Sequence, residues 1–270
     1  MDAMLLKSNL GSADASFGYS PAIWGDCPIK SILEGSIPGI IFEPNLAAGG
    51  LITAPTTSAA LVGLGLSGFG SSGSTQAYTN TLGGGIVIAE TTDDEAVSVF
   101  SLSHAFQMGL TKRPLWYEAR IEPSHTATTE QAMFVGLADS TAKTVSIPLT
   151  ATAGALGDLN LVGFHKLDTD LTSVKTVYKS DGVTAVTVQT ITSALTAATA
   201  VRLGFKKDRN GLITFYVNNV KQTSSFQTIN DLGTGFPGDV LLAPIIAMHL
   251  GAGASDNTLA ITRWRCVQLI

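Results

Sequence analysis

The sequence predicts an all-β protein, a jelly-roll β-sandwich of two antiparallel sheets, and three observations support this prediction. Charged residues make up only 14% of the 270 residues, whereas Gly alone fills 28 positions. Short runs rich in Val, Ile, Thr and aromatic residues recur between turn signals. Several of these runs alternate apolar and polar side chains, which is the two-residue period of a half-buried strand.

The clearest strands lie beyond Pro114. In residues 115–122, Leu, Tyr, Ala and Ile alternate with Trp, Glu, Arg and Glu, so one set faces a core. Residues 201–226 predict a β-meander, because turn residues at 208–211 and 218–219 separate three β-type runs. Further strands are predicted at residues 86–89, 96–102, 133–137, 161–166, 174–179, 184–190, 240–250 and 259–269.

Residues 1–65 differ in composition from the sandwich, which we place at residues 66–270. Five prolines in this segment exclude long helices and central strands, so we expect an extended Pro-rich arm and a connection. Its bulky apolar residues are too many for a free tail, and we expect them to bind a partner. These candidate partner-binding residues are Trp24, Ile29, Ile32, Leu33, Ile40, Ile41 and Phe42.

Charge and hydropathy narrow the class of partner. The formal net charge is −5, and basic residues are nowhere more concentrated than at Lys206 and Lys207, so we expect no nucleic-acid binding. The most apolar stretch, residues 240–250, is short and contains Pro244, so we expect no membrane span. The mean hydropathy of +0.29 with few charges favours a homo-oligomer that buries outer surface.

The order of five segments resembles the concanavalin A-like, laminin-G-like jelly-roll domain of tailed-bacteriophage virion structural proteins. The segments are residues 112–123, 133–140, 162–166, 201–220 and 257–269. This resemblance implies a capsid decoration or cement protein on the virion surface, made in a host cytoplasm. It also implies the major capsid protein as partner and a homotrimer as the favoured oligomer.

No constellation of residues in the sequence predicts catalysis, a cofactor or a metal. The nearest carboxylate pair, Glu118 and Glu122, lies on one strand without the alternating acidic triplet that a glycosidase of this fold needs. The four histidines are scattered, and no nucleophile motif occurs. We therefore expect a protein that is not an enzyme.

Three alternatives remain open at this stage. Calcium could bind carboxylates at Asp168 and Asp170, or at residues 93–95. The two cysteines, Cys27 and Cys266, could form a disulfide. The alternative function is a lectin-like carbohydrate-binding module, in which Trp116, Tyr216 and Trp264 would form an exposed platform for sugars.

Overall fold

The computed structural model shows two antiparallel sheets packed face to face. It describes residues 19–44, 46, 59–61, 65–70, 74–78, 84–91, 96–102, 105–109, 112–126, 131–139, 148–150, 152–227, 235–251 and 257–270. None of the helices in these residues is long and apolar enough to cross a membrane.

Two short α-helices precede the strands in the described residues. The helices are α1 (Pro21–Trp24) and α2 (Ile29–Leu33). The first strands are β1 (Gly39–Phe42), β2 (Ala59–Leu61), β3 (Leu66–Gly70), β4 (Thr75–Tyr78), β5 (Ile86–Glu90), β6 (Ala96–Ser101), β7 (Phe106–Gln107), β8 (Leu115–Pro123) and β9 (Gln131–Ala138). The others are β10 (Leu161–Lys166), β11 (Val174–Lys179), β12 (Val186–Ile191), β13 (Val201–Lys207), β14 (Leu212–Val217), β15 (Val220–Gln227), β16 (Leu241–Leu250) and β17 (Asn257–Leu269).

The strands form two sheets, which we name A and B. Sheet A has the order β15-β14-β13-β8-β17-β5-β4, and β1 also pairs with β17. Sheet B has the order β12-β11-β10-β9-β16-β6-β3-β2, and β7 also pairs with β16. Neighbouring strands of each sheet are antiparallel. The predicted all-β sandwich of two antiparallel sheets is confirmed.

The main core lies between the sheets and is built around aromatic side chains. Tyr117 and Phe205 of sheet A stack at 4.8 Å between ring centroids. Phe164 of sheet B meets Phe215 of sheet A edge to face at 5.3 Å. The indole of Trp264 donates a hydrogen bond to the Tyr117 hydroxyl at 3.1 Å, so the polar atoms buried with these rings are paired. The Phe164–Phe215 contact joins the two sheets, and the other two contacts lie within sheet A.

A β-bulge in strand β17 changes which of its side chains face the core. Ile261 pairs with Ile121 and Arg263 pairs with Arg120, so Thr262 is an extra residue on β17. A one-residue insertion shifts the alternation of side chains. Core-facing positions therefore have odd numbers before the bulge and even numbers after it.

The described part of the N-terminal segment folds onto the sandwich, whereas the sequence predicted an extended arm outside it. Residues 39–42 form β1, which pairs with residues 266–269 of β17 inside sheet A. Pro21 lies at the start of α1 and Pro28 caps α2, positions where a missing backbone N–H costs little. The boundary at residue 65 therefore does not separate an arm from a sandwich in the described residues.

A buried carboxylate holds this N-terminal segment to sheet A. Glu118 is 1% exposed and accepts hydrogen bonds from the Ser20 backbone N–H at 3.0 Å and the Ser20 hydroxyl at 2.8 Å. The indole of Trp24 donates a third. Burial raises the pKa of Glu118, and these hydrogen bonds oppose the rise. The segment thus satisfies a charge that sheet A buries.

Both cysteines are free thiols, so the possible disulfide is not formed. Cys266 lies in the core between the sheets, whereas Cys27 packs with the N-terminal helices against the other face of sheet A. Burial raises the pKa of the Cys27 thiol to about 12. Neither sulfur is therefore a thiolate at neutral pH.

The N-terminal helices contain a buried and an exposed apolar residue that allow a matched test. Trp24 is 3% exposed and Leu33 is 61% exposed. We expect Trp24→Ala to lower the free energy of unfolding by about 3–5 kcal/mol, because it leaves a cavity and removes a donor from Glu118. Leu33→Ala should change it by less than about 0.5 kcal/mol.

Chemical denaturation of both variants measures this difference. Equal stability of the two would show that the N-terminal segment is not part of the folded unit.

Candidate functional site

An open cleft of about 510 Å³ lies on the outer face of sheet B. Its floor is formed by His165 of β10 together with Lys175, Val177 and Lys179 of β11. One wall is the segment that contains Leu156, and the other is the turn and the start of β12 at residues 182–187. All of these residues belong to the continuously described stretch 152–227.

The alternation of β11 explains why these side chains line the cleft. Val174 and Tyr178 belong to the main core between the sheets, so the odd-numbered residues 175, 177 and 179 point the other way. Val177 instead packs in a second apolar cluster on the outer face, with Leu159 and Leu161. Strand β11 therefore presents an apolar side chain flanked by two lysines to the cleft.

Each of these lysines is held by an aspartate. The Nζ atom of Lys175 lies 2.9 Å from the Asp170 carboxylate. The Nζ atom of Lys179 lies 2.9 Å from Asp158 and donates a second hydrogen bond to the Gly157 carbonyl at 2.7 Å. Ion pairs that fix long side chains reduce the entropy lost when a ligand binds. The cleft thus presents charged groups in defined positions.

The two walls are joined by hydrogen bonds to side chains. Asp158 accepts a bond from the Gly182 N–H at 2.8 Å, and Asn160 accepts one from the Asp181 N–H at 3.0 Å. Gly182 adopts a φ of 72°, which favours glycine. The turn after β11 is therefore fixed relative to the opposite wall.

His165 contributes a neutral imidazole to the floor. It is 5% exposed, and its Nε2 lies 2.8 Å from the Gly154 carbonyl oxygen, which only accepts hydrogen bonds. Nε2 is therefore the protonated nitrogen of the neutral ring. Burial lowers the pKa of His165 to about 4, and the bond to Gly154 opposes that shift.

The lining suits a ligand with many hydroxyl groups. Lys175 and Lys179 offer donors, Asp158 offers an acceptor, and the Thr184 and Thr187 hydroxyls offer both. Asp158 is the only carboxylate residue that lines the cleft in residues 152–191. Glycoside hydrolysis ordinarily requires two carboxyl groups across the bond. The described lining therefore offers polar groups to a ligand and one of the two carboxyl groups that hydrolysis ordinarily requires.

The structure places the seven candidate partner-binding residues in different surroundings. Trp24 and Ile29 are buried in a cluster on the outer face of sheet A, and Ile32 and Ile41 pack against this cluster. Ile40 and Phe42 pack against the main core, where Phe42 meets Trp264 edge to face at 4.9 Å between centroids. Leu33 alone of the seven is exposed beyond half of its surface.

The aromatic platform expected for sugar binding is not exposed. Trp116, Tyr216 and Trp264 are 3%, 6% and 1% exposed. The N-terminal helices cover the first two, and the bulge in β17 turns Trp264 into the core. The sequence did not reveal that the outer face of sheet A would itself be covered. A sugar site therefore has to lie elsewhere.

The two candidate calcium clusters have different outcomes. Asp170 is engaged by Lys175 and by the backbone N–H of Leu167 at 2.9 Å, so its carboxylate already has partners. In the described residues, no group of three or more His, Cys, Asp or Glu side chains is arranged to hold a metal ion. Residues 93–95 lie outside the described part of the chain.

Sequence reasoning missed the cleft because its residues come from separate segments. The two lysines of β11 are four residues apart, and their aspartates lie in the segments before and after β10. A strand whose outward positions carry Lys, Val and Lys was the available signal. It does not reveal which loops complete the site.

The comparisons with known proteins define the fold. No protein-family model matches the sequence, and no curated protein is similar to it. The carbohydrate recognition domain of Emp46p is 11% identical over 83% of this chain and 95% of its own, with a TM-score of 0.56. Peanut lectin is 12% identical over 85% and 97%, with a TM-score of 0.52.

A third similar structure belongs to the same fold. Basic winged bean lectin is 10% identical over 85% of this chain and 98% of its own, with a TM-score of 0.51. The chain therefore has the concanavalin A-like jelly-roll fold of the lectins. None of the three is named as a virion protein, and the expected relation to phage proteins stays a prediction.

The depressed pKa of His165 predicts a pH dependence of stability. The folded pKa is about 4, whereas a histidine in an unfolded chain has a pKa of about 6.5. Below pH 6.5 the unfolded chain binds a proton that the folded chain rejects until about pH 4. The contribution of the neutral imidazole to the free energy of unfolding is therefore complete above pH 6.5 and is lost as the pH falls to 4.

We expect the wild-type protein to lose on the order of 3 kcal/mol more stability than His165→Gln between pH 7 and pH 4. Urea denaturation at several pH values measures both curves. If the stabilities of the two proteins changed equally with pH, the lowered pKa of His165 would be contradicted.

Proposed function

We propose that this protein is a lectin-like carbohydrate-binding module that holds a glycan in the cleft on the outer face of sheet B. The observation that carries the proposal is the cleft lining of two lysines fixed by aspartates around Val177. Ligand sites combine an apolar surface with a few fixed polar groups, and volumes of about 300–1,000 Å³ are usual for them. The cleft meets each of these criteria.

The chemistry of a sugar matches this lining. A pyranose ring has an apolar face of C–H groups, which the half-buried Leu156 can contact. Its hydroxyl groups both donate and accept hydrogen bonds, so Asp158 beside Lys179 and the Lys175 ammonium further along β11 can bind different hydroxyls of a glycan. Each Lys–Asp pair is neutral overall, which fits a ligand that carries no net charge.

The fold gives independent support to this proposal. The similar structures include a carbohydrate recognition domain and two legume lectins, one of them crystallised with a Tn antigen. Binding without hydrolysis is favoured because, among the described residues, Asp158 is the only carboxylate residue lining the cleft.

The proposal is tested by filling the cleft. Thr187 is an exposed residue of β12 that lines it, and Thr196 is an exposed residue that does not. After a glycan array has identified a ligand, calorimetry with that ligand should show at least tenfold weaker binding to Thr187→Trp, because the indole takes the space of the sugar. Thr196→Trp should bind as the wild type does.

Stability measurements on both variants control for misfolding, because exposed substitutions change stability by about 0.5 kcal/mol or less. An array on which no glycan binds, or a ligand whose affinity is unchanged in Thr187→Trp, would refute the proposal.

Capsid decoration, with a major capsid protein as partner, a trimeric state and a location on the virion, stays a prediction from the sequence. Most of the apolar side chains expected to make that contact pack within the chain itself. We therefore place the carbohydrate-binding function first.

A further inference from the structure

A second cavity, of about 500 Å³, lies on the outer face of sheet A, between the N-terminal segment and the turn that joins β13 to β14. Its described lining shares no residue with that of the cleft on sheet B. Trp116 of β8 and Lys206 of β13 are directly opposite each other in the sheet, and both line the cavity. Asp26 and Pro28, from the connection between α1 and α2, line it from the other side of the chain. The N-terminal segment therefore supplies part of its wall.

Part of the lining of this cavity is apolar. Ile37, Pro114, Trp116 and Leu269 belong to this part, and Trp116 is 3% exposed. Trp116 and Leu269 are members of the apolar cluster beneath the N-terminal helices, and Ile37 packs against that cluster. The Leu269 N–H donates a hydrogen bond to the Pro114 carbonyl at 3.1 Å, which holds the end of β17 beside the start of β8. An apolar group in the cavity is removed from water by these side chains.

The first of the three cations that line the cavity, Lys206, is balanced by a carboxylate. Its Nζ atom lies 2.8 Å from one oxygen of Asp26, and the other oxygen accepts a hydrogen bond from the Trp116 indole at 2.9 Å. Burial alone would raise the pKa of Asp26, but the hydrogen bonds from Lys206 and Trp116 lower it below its usual value. Asp26 is therefore ionised at neutral pH and cancels the charge of Lys206.

The second cation, Lys207, is buried and also has a carboxylate nearby. It is 1% exposed, and its Nζ atom donates a hydrogen bond to the Met108 carbonyl at 2.7 Å. Burial and, after it, repulsion by Arg113 lower the pKa of Lys207 to about 8, and attraction by Asp208 opposes this shift. Asp208 lines the cavity as well, so it balances the charge of Lys207 there.

The third cation, Arg209, is not balanced in this way. It is exposed, and its guanidinium makes no ion pair or hydrogen bond in the part of the chain that the structure describes. Its backbone is held in place, because its carbonyl accepts a hydrogen bond from the Lys112 N–H at 3.0 Å. The lining thus contains three cations and two carboxylates, a formal charge of +1 in a chain whose net charge is −5.

We propose that this cavity binds a small amphipathic anion, a carboxylate or sulfonate that carries an apolar ring. The ring packs against Ile37, Trp116 and Leu269, and the anionic group pairs with Arg209. Guanidinium groups bind such oxyanions through two parallel hydrogen bonds. Ligand cavities of this size usually combine apolar walls with a few fixed polar groups.

A ligand with one negative charge fits the cavity better than a polyanion does. Proteins that bind nucleic acids or similar polymers present many cations along a face or groove. Here Arg209 is the one lining cation that is left unbalanced in the described residues, and Asp26 and Asp208 repel further anionic groups. The charge of the lining therefore matches a monoanion.

The experiment uses the full chain and two fluorescent probes that differ by one charge. Anilinonaphthalene sulfonate is an amphipathic anion, and phenylnaphthylamine has the same rings without the sulfonate. Fluorescence titration should show saturable binding of the sulfonate, weakened about tenfold in Arg209→Gln because a charge-assisted contact is lost. The neutral probe should bind Arg209→Gln and the wild type equally. Lys221→Gln removes a charge from an exposed residue outside the cavity and should bind both probes as the wild type does.

Filling the apolar part of the cavity gives a second test. Ile37 is half-buried, and Ile37→Trp should weaken the binding of both probes at least tenfold, because the indole takes their space. Chemical denaturation of each variant controls for misfolding, since a loosened core binds more of the sulfonate probe rather than less. If Ile37→Trp does not fold, the comparison of Arg209→Gln with Lys221→Gln decides.

The outcome is independent of the proposed glycan cleft. Thr187→Trp, which fills that cleft, should leave the binding of both probes unchanged. Equal affinity of the sulfonate for the wild type and for Arg209→Gln would overturn the proposal. Undiminished binding by a folded Ile37→Trp, or loss of binding in Thr187→Trp, would overturn it too.

Discussion

The buried carboxylate of Glu118 is the contact on which the arrangement of sheet A depends. Removing a charge from water costs several kcal/mol unless hydrogen bonds replace the lost solvent. Ser20 and Trp24 supply those bonds from a segment almost a hundred residues away in the sequence. Sheet A can therefore keep a carboxylate at its centre only while the N-terminal segment is in place.

On the outer face of each sheet, packed segments of the chain cover one part and leave another part accessible. The N-terminal helices cover one part of sheet A, including Trp116 and Tyr216, and Arg120 and Arg263 lie partly exposed on the same face. On sheet B, an apolar cluster that includes Leu149 and Leu159 covers part of the outer face, and the cleft lies next to it. Each face thus has an apolar cluster that holds a segment of chain and a polar region that remains accessible.

The strands that could be predicted from the sequence are those whose pattern is local. β8, β13 and β14 alternate without interruption, and the turn residues Asn218 and Asn219 both adopt positive φ, as an Asn–Asn hairpin turn requires. The structure of the N-terminal segment was harder to predict from the sequence. Its prolines exclude central strands, and its helices are only four and five residues long. Helices of that length are stabilised by tertiary contacts rather than by their own propensity. The cleft and the inward position of Trp264 depend on cross-strand register and on a bulge, which a local pattern does not contain.

The pairing of β17 also sets the order in which the chain can be completed during synthesis. This strand lies inside sheet A, with β8 on one side and β5 and β1 on the other, yet it consists of residues 257–269. The ribosome makes these residues well after residues 115–123, so β8 has to wait for one of its two neighbours. Strand β1 waits longer still, because it pairs with residues 266–269 of β17. A nascent chain therefore exposes the edges of β8 and β1 until residues 257–269 have been made.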